Sequence, residues 1–187
     1  SPDMSFLPVE YQGENTNVKI WNGSTFENLN STTNNNQFPD KDNRFSYDIP
    51  FMFDYQIDIN NTLYAIKIAR GGADVDGSSD VNSLSYKRRD MWWLLEKVFY
   101  EIIKNQSFYS NNIKLNMIYY QGENESTSET RANNWDDNFE LWIHQYAQLL
   151  DKVGYFIKGG FETRNIITKL GTSAPSSYPF SVNTRQS

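Results

Sequence analysis

Two amphipathic helices with a short apolar strand between them constrain the fold of this chain more than any other feature. The first predicted helix covers residues 86–104, where apolar side chains recur every three or four residues. The second starts at Trp135, and Gly154 supplies its expected end. Residues 113–120, between the two, are an apolar run that predicts a strand. The recurring apolar residues are Met91, Trp92, Leu95, Val98, Phe99, Ile102 and Ile103 in the first helix, and Trp135, Phe139, Trp142, Ile143, Tyr146, Leu149, Leu150 and Val153 in the second.

Further strand signals lie on both sides of this core pattern. Residues 18–29 carry β-type side chains around the turn signal Asn22-Gly23 and predict a short hairpin or a strand with a polar return, which Trp21 and Phe26 would anchor to the body of the domain. Residues 63–69 and 164–170 predict two more strands, each of which runs into glycine. Surface loops are predicted for the polar stretches 30–44 and 126–131.

The element order predicts an α/β fold. Strands that alternate with helices form βαβ units, and these build a mostly parallel sheet with helices on both faces. We therefore expect a three-layer α/β/α sandwich. The length of 187 residues is typical of one compact domain, so residues 1–187 are predicted to form a single domain.

Composition excludes several classes of function. The net charge is −6 and the pI is about 4.8, so the basic surface that binds nucleic acid or an anionic membrane is missing. The chain has no Cys, which excludes disulfides, thiolate catalysis and Cys-based metal sites. No apolar run approaches the length of a membrane helix, so we expect a soluble protein without a membrane span. The sequence begins at Ser1 without an initiator Met, which indicates a piece of a longer protein.

Polar residues follow two of the predicted strands. The apolar run that ends at Tyr120 is followed by Gln121-Gly122-Glu123-Asn124-Glu125, and the strand of residues 63–69 is followed by Gly71-Gly72. The carboxyl ends of parallel strands meet at one edge of a sheet, where ligands bind. Two Gly backbone N–H groups beside a side-chain amide are the parts of an oxyanion hole, which indicates an acyl-transfer site. A strand followed by an ordinary polar turn is the alternative interpretation.

These segments resemble those of a known family. Gln121-Gly122-Glu123-Asn124-Glu125 resembles the Gln-Gly-Glu-Ser-Asp block of the sialate O-acetylesterase-like branch of the SGNH hydrolases. Residues 66–73, Ile-Lys-Ile-Ala-Arg-Gly-Gly-Ala, are similar to the strand and Gly-Gly block that precede it there. Residues 7–13 with 18–23, and the Pro-rich residues 174–179, are similar to segments of phage-borne members.

The resemblance implies hydrolysis of acetyl esters on glycans by a Ser nucleophile, an Asp-His pair and an oxyanion hole, with no cofactor. Gln121 matches the amide donor, and Gly71 or Gly72 matches the Gly donor. Glu123 matches an acid that holds neighbouring loops, and Tyr120 and Asn124 are placed to contact the substrate. The implied fold is the flavodoxin-like SGNH sheet, here without its first strand and its last helix.

The nucleophile and the base of this family have no counterpart in the chain. The Gly-Gln-Ser-Asn block expected before Leu7 is absent, as is the Asp-x-x-His block expected near the C-terminus. The one His, His144, lies nine residues after Trp135, which places it opposite the apolar stripe and predicts an exposed surface residue. Both catalytic residues are therefore expected outside this chain, which alone should be inactive. Ser78 lies in a predicted loop without a nucleophile elbow.

Other interpretations remain open at this stage. Asp74, Asp76 and Asp80 could bind calcium, but the EF-hand pattern fails at Ser79, so a solvated acidic loop is favoured and no metal is expected. A pair of carboxylates, Glu123 and Glu125, could cleave glycosides, but residues in a loop share no defined face. The aromatic residues Trp92, Trp93, Trp135 and Trp142 are expected in the core and not in a sugar platform.

A second class of function competes with the esterase. The chain could belong to a phage fibre, tail or capsid decoration, in which a hydrolase-like domain binds a receptor or glycan or serves assembly. Its partners would then be other virion subunits or the rest of its own polypeptide, and its location would be the virion or the extracellular space. This hypothesis rests on the resemblance at both ends of the chain and on its Asn-rich composition.

Overall fold

The computed structural model describes residues 6–33, 38–39, 48–59, 61–69, 73–77, 83–87, 91–104, 113–119, 127–154 and 161–167. The chain divides into two compact units, residues Ser1–Arg70 and Gly71–Ser187. Within the described residues it is a mixed α/β protein with four α-helices and three small sheets, one mixed and two made of a parallel pair of strands. The predicted α/β class is therefore confirmed, and the three-layer sandwich remains a prediction.

The N-terminal unit is built on the predicted hairpin. Strand β1 (Glu14–Trp21) pairs antiparallel with β2 (Phe26–Asn30), and β4 (Leu63–Ala65) adds to the other side of β1 in parallel. Gly23 has a φ of 104°, a backbone conformation that suits glycine, so the Asn22-Gly23 turn is confirmed. Trp21 is buried and meets the Phe26 ring edge to face at 5.1 Å, and Phe26 in turn meets Tyr64 of β4 at 5.1 Å.

A helix that was not predicted covers this hairpin. Helix α1 (Asp48–Ile59) buries Ile49 and Met52, which join Leu7, Val18, Ile20 and Leu29 in one apolar core. Pro50 lies in the first turn, where backbone N–H groups have no acceptor within the helix, so it does not disturb the helix. Asp48 at the helix start forms an ion pair of 2.6 Å with Lys67.

Two predictions about this unit need correction. The predicted strand of residues 63–69 is two short strands, β4 and β5 (Ile68–Ala69). The stretch 30–44 is not wholly loop, because β3 (Phe38–Pro39) pairs in parallel with β5. Pro cannot donate a backbone hydrogen bond, so it is tolerated only at the margin of a sheet. In a strand of only two residues, Pro39 is an end residue and so meets this restriction.

The C-terminal unit contains the predicted βαβ unit. Strand β6 (Ile113–Tyr119) is parallel to β7 (Phe161–Ile167) over all seven residues of each strand. The connection contains α3 (Glu129–Asn133) and α4 (Trp135–Gly154). The prediction of a parallel pair with a helical crossover is confirmed, although β7 begins three residues before the predicted strand.

Two helix predictions for this unit are refined. Helix α2 (Trp92–Lys104) confirms the first amphipathic helix, with a later start than predicted. The stretch 126–131 was expected to be a loop, but Glu129 already belongs to α3. Ser128 is extended just before this helix, and the acidic Glu129 in its first turn suits the positive end of the helix dipole.

Aromatic side chains form the core of the C-terminal unit. The buried face of α4 carries Trp135, Phe139, Trp142, Tyr146, Leu149 and Val153, as the periodicity predicted. Trp92 of α2 is also buried and meets Trp142 edge to face at 6.1 Å. Trp93 corrects the core prediction, because it is 48% exposed and lies beneath the Lys97 ammonium at 5.8 Å. No helix in the described part of the chain is both long and apolar enough to cross a membrane.

Candidate functional site

The residues predicted to form the site fall outside the described part of the chain. They are the oxyanion-hole candidates Gly71, Gly72 and Gln121, the supporting Glu123, and the substrate-contact candidates Tyr120 and Asn124. Their flanking residues are described. Ala73–Gly77 follow the two glycines, Tyr119 precedes Tyr120, and Thr127 follows the Gln121 segment.

An ion cluster joins two of these flanks. Arg131 donates from Nη2 to Oδ2 of Asp74 at 3.2 Å and from Nε to Oδ2 of Asp76 at 3.1 Å. The Asp74 side chain is fully buried at 0% exposure, that of Asp76 is 13% exposed, and that of Arg131 is 23% exposed. A buried carboxylate needs a charged partner or strong donors, and the guanidinium supplies both.

The Asp74 backbone is also fixed. Its carbonyl accepts the Leu84 N–H at 2.7 Å, and its Oδ1 accepts the Gly77 N–H at 3.3 Å. Asp74 and Ser83 form an isolated parallel bridge, and the Ser83 carbonyl accepts the Met91 N–H at 3.0 Å. These contacts connect the residues after Gly72 to the start of α2.

The expected solvated acidic loop is therefore wrong for Asp74. Its carboxylate is removed from water because it pairs with Arg131, a partner distant in sequence. No group of three or more His, Cys, Asp or Glu residues that could hold a metal ion occurs among the described residues. The cation that Asp74 and Asp76 bind here is the Arg131 guanidinium.

Two buried serines near the cluster serve as acceptors for turns. The Ser83 hydroxyl accepts the Ser85 N–H at 3.0 Å, and the Ser85 hydroxyl accepts the Lys87 N–H at 3.3 Å. Such short-range bonds are typical of Ser residues that stabilise tight turns. The geometry therefore gives these two hydroxyls a structural role. Ser78, the other serine considered from sequence, lies outside the described residues.

Trp142 links the end of β6 to the Asp74 segment. Its indole N–H donates to the Leu84 carbonyl at 3.1 Å, and its ring lies 5.0 Å from that of Tyr119, the last residue of β6. Tyr119 is buried and also meets Phe139 at 4.6 Å. Since Leu84 in turn donates to Asp74, packing and hydrogen bonds run from Tyr119 to Asp74 without interruption.

His144 confirms its prediction as a surface residue. Its side chain is 69% exposed, and its nearest carboxylate oxygen, on Glu140, is 3.7 Å away on the same helix. Within the described residues, this imidazole has no hydrogen bond of the kind that orients the His of a catalytic triad. His144 is therefore not the base of the predicted hydrolase.

The role of Arg131 is not evident from sequence, because residues 126–131 predict a polar loop. The 55 and 57 residues that separate it from Asp76 and Asp74 give no local signal for the pair. The one usable sign was the alternation Asp74-Val75-Asp76, in which an apolar residue between two acids indicates a partly buried segment. Val75 is indeed buried.

Comparisons with protein-family models, with curated proteins and with solved structures find no match for this chain. Its functional interpretation therefore depends on its own residues and contacts.

Proposed function

We propose that this chain supplies the oxyanion-binding part of an SGNH-type carbohydrate O-acetylesterase, which hydrolyses acetyl esters on glycans. The Gln121 side-chain amide and the backbone N–H of Gly71 or Gly72 donate to the carbonyl oxygen as it gains negative charge. Glu123 holds the neighbouring loops by hydrogen bonds, and Tyr120 and Asn124 contact the sugar.

The contact between Arg131 and the two carboxylates of Asp74 and Asp76 supports this proposal most strongly. Asp74 lies two residues after Gly72, and Arg131 is the third residue of α3, the helix that follows the Gln121 segment. Tyr119, two residues before Gln121, is connected to Asp74 through Trp142 and Leu84. Two residues span at most about 7 Å, so each proposed donor lies within about that distance of a flank that these contacts fix.

The finer fold assignment belongs to the same proposal. The parallel pair β6 and β7, with α4 in the connection, is the βαβ unit from which a three-layer α/β/α sandwich is assembled. In such a sheet the segment after β6 lies at the carboxyl edge, where ligands bind. Gln121 would then lie on the edge that a hydrolase of this type uses.

The proposed reaction needs two residues from other parts of the full-length protein. A Ser oxygen attacks the acetyl carbonyl carbon, and a His accepts the hydroxyl proton. The tetrahedral intermediate collapses with departure of the sugar oxygen, which takes the proton from His. Water then attacks the acetyl-Ser carbonyl carbon and gives a proton to His, the bond to the Ser oxygen breaks as acetate leaves, and the Ser oxygen takes the proton back from His. Gln121 and the Gly N–H stabilise the oxyanion in both steps.

Release of p-nitrophenol from p-nitrophenyl acetate by the full-length protein tests the proposal. The Gln121→Ala variant should lower kcat by about 100- to 1,000-fold, the usual effect of removing one oxyanion donor. Gln148→Ala is the matched control, because Gln148 is an exposed amide on α4 and should leave kcat unchanged. Acetate release from an acetylated oligosaccharide extends the test to the proposed class of substrate.

Two outcomes would contradict the proposal. Unchanged turnover in Gln121→Ala would remove this amide from the mechanism. An inactive full-length protein that binds an acetylated glycan, or assembles into virions, would instead favour the receptor-binding or structural role of a phage protein.

A further inference from the structure

The Arg131 cluster is organised to hold two distant segments in a defined relative position. One guanidinium uses two different nitrogens, Nη2 and Nε, to reach two carboxylates that are separated by Val75. The planar guanidinium fixes the direction of both bonds, which a single ammonium could not do. The cluster therefore specifies orientation as well as proximity.

Burial makes the contact difficult to replace by water. Asp74 has no exposed side-chain surface, so loss of its guanidinium partner leaves a charged oxygen without solvent. Asp76 and Arg131 retain some contact with solvent, at 13% and 23% exposure. Most of the constraint therefore lies on the Asp74 side of the cluster.

The backbone that carries Arg131 is also held in place. In α3 the Ala132 side chain is fully buried, and its N–H donates to the Ser128 carbonyl at 2.9 Å. The Asn134 N–H donates to the Thr130 carbonyl at 3.1 Å, directly before the buried Trp135 starts α4. The guanidinium thus extends from a well-fixed helical turn and not from a free loop.

We propose that Arg131 is a positioning residue, which orders the segment after Gly72 relative to the helical turn that follows the Gln121 segment. This inference rests on the proposed esterase function, because the proposed oxyanion donors, Gly71 or Gly72 and Gln121, precede these two segments in the chain. Arg131 itself contacts no substrate. Loss of Arg131 misplaces the oxyanion donors, so it lowers the rate of the chemical step and leaves substrate binding largely intact.

Hydrogen–deuterium exchange tests the ordering role without any need for activity. In the full-length protein, Arg131→Gln should raise the exchange rate of the 73–77 and 127–133 amides at least roughly tenfold. The amides of 145–153, in the C-terminal half of α4, should keep the wild-type rate. Arg131→Lys retains the charge without the forked geometry, so it should give an intermediate rate.

Kinetics with p-nitrophenyl acetate test the positioning role. Arg131→Gln should lower kcat by about 10- to 100-fold with KM within about threefold of wild type, and Arg131→Lys should recover part of kcat. Asp76→Asn leaves the Asp74 contact in place and should have a smaller effect than Arg131→Gln. It also serves as the folded variant if Arg131→Gln does not fold.

The possible outcomes separate the two proposals. Unchanged exchange in both Arg131→Gln and Asp76→Asn would overturn the ordering role whatever the activity. Faster exchange with unchanged kcat would overturn the positioning role and leave the esterase proposal intact. A wild-type protein without esterase activity would overturn the esterase proposal and the positioning role together, and the exchange data would still decide the ordering role.

Discussion

Replacing Trp142 by Phe should destabilise the unit of residues 71–187 by about 2.5 kcal/mol. The substitution removes two buried ring carbons, which cost about 1.5 kcal/mol at roughly 0.8 kcal/mol for each buried carbon. It also removes the indole N–H that donates to the Leu84 carbonyl at 3.1 Å. Loss of that donor costs about 1 kcal/mol, near the low end for a buried acceptor because Leu84 is only partly buried.

Trp92→Phe is the matched control for this change. Trp92 is buried like Trp142, and the two rings contact each other in the same aromatic cluster. The Trp92 indole donates to a Glu96 carboxylate on its own helix, at a partly buried site where water can replace the donor. The control therefore loses the same carbons without leaving a backbone carbonyl unsatisfied, and it should cost about 1 kcal/mol less than Trp142→Phe.

Urea unfolding measures the difference in unfolding free energy between the two variants. Far-UV circular dichroism is the signal to follow, because both substitutions remove a tryptophan and so change the fluorescence. With a slope of about 2 kcal/mol/M, the Trp142→Phe midpoint should lie about 0.5 M below that of Trp92→Phe. Equal midpoints for the two variants, or a lower midpoint for Trp92→Phe, would refute the role assigned to the bond between Trp142 and Leu84.

Two further predictions concern ionisable side chains of α4. Burial raises the pKa of the Tyr146 hydroxyl, so the unfolded chain releases this proton at lower pH than the folded chain does. The free energy of unfolding should therefore be retained below about pH 10 and should fall as the pH rises above that value. The fall should be shallower in Tyr146→Phe than in the wild type. Equal slopes of unfolding free energy against pH for the two proteins between about pH 8 and 11 would contradict this. His144→Ala should change stability by less than about 0.5 kcal/mol, because the imidazole is exposed, and a thermal midpoint shifted by several degrees would contradict its surface role.

Helix α4 was predictable from sequence because its packing follows a regular period. Its buried residues recur every three or four positions, and this pattern alone determines which face packs inward. The parallel strands β6 and β7 were predictable for a related reason, because a helix between two apolar runs favours a crossover connection.

Helix α1 shows where the same reasoning fails. Phe51, Phe53, Tyr55 and Ile57 occupy alternate positions, a period that is typical of a strand. The helix instead buries Ile49, Met52 and Gln56, and it leaves Ile57 exposed. Phe51 stacks on Tyr55, one helical turn away, with ring centroids 5.3 Å apart, and this contact covers part of the two rings. Tertiary packing against the hairpin therefore outweighs the local pattern.

The candidate site was predictable only in part. The glycines and the Gln121 segment could be selected because Gly and amide groups after apolar strands have a recognised chemistry. The cluster of Arg131 with Asp74 and Asp76 could not, because a pair of charged residues more than fifty positions apart has no periodic or local signature. Long-range ion pairs of this kind are specified by the fold, and only the fold reveals them.

The two links between the segments differ in chemistry, and this has a consequence for the proposed function. Trp142 joins Tyr119 to Leu84 by ring packing and one neutral hydrogen bond, whereas Arg131 joins α3 to Asp74 by ionic bonds. Both converge on Asp74, directly or through the Leu84 N–H. An oxyanion hole requires donors held within a fraction of an ångström, and support from buried neighbours is the usual means of achieving this. The contacts around Asp74 are of the kind that the proposed oxyanion site would need, and the exchange and kinetic measurements on the Arg131 variants decide between that site and a purely structural turn.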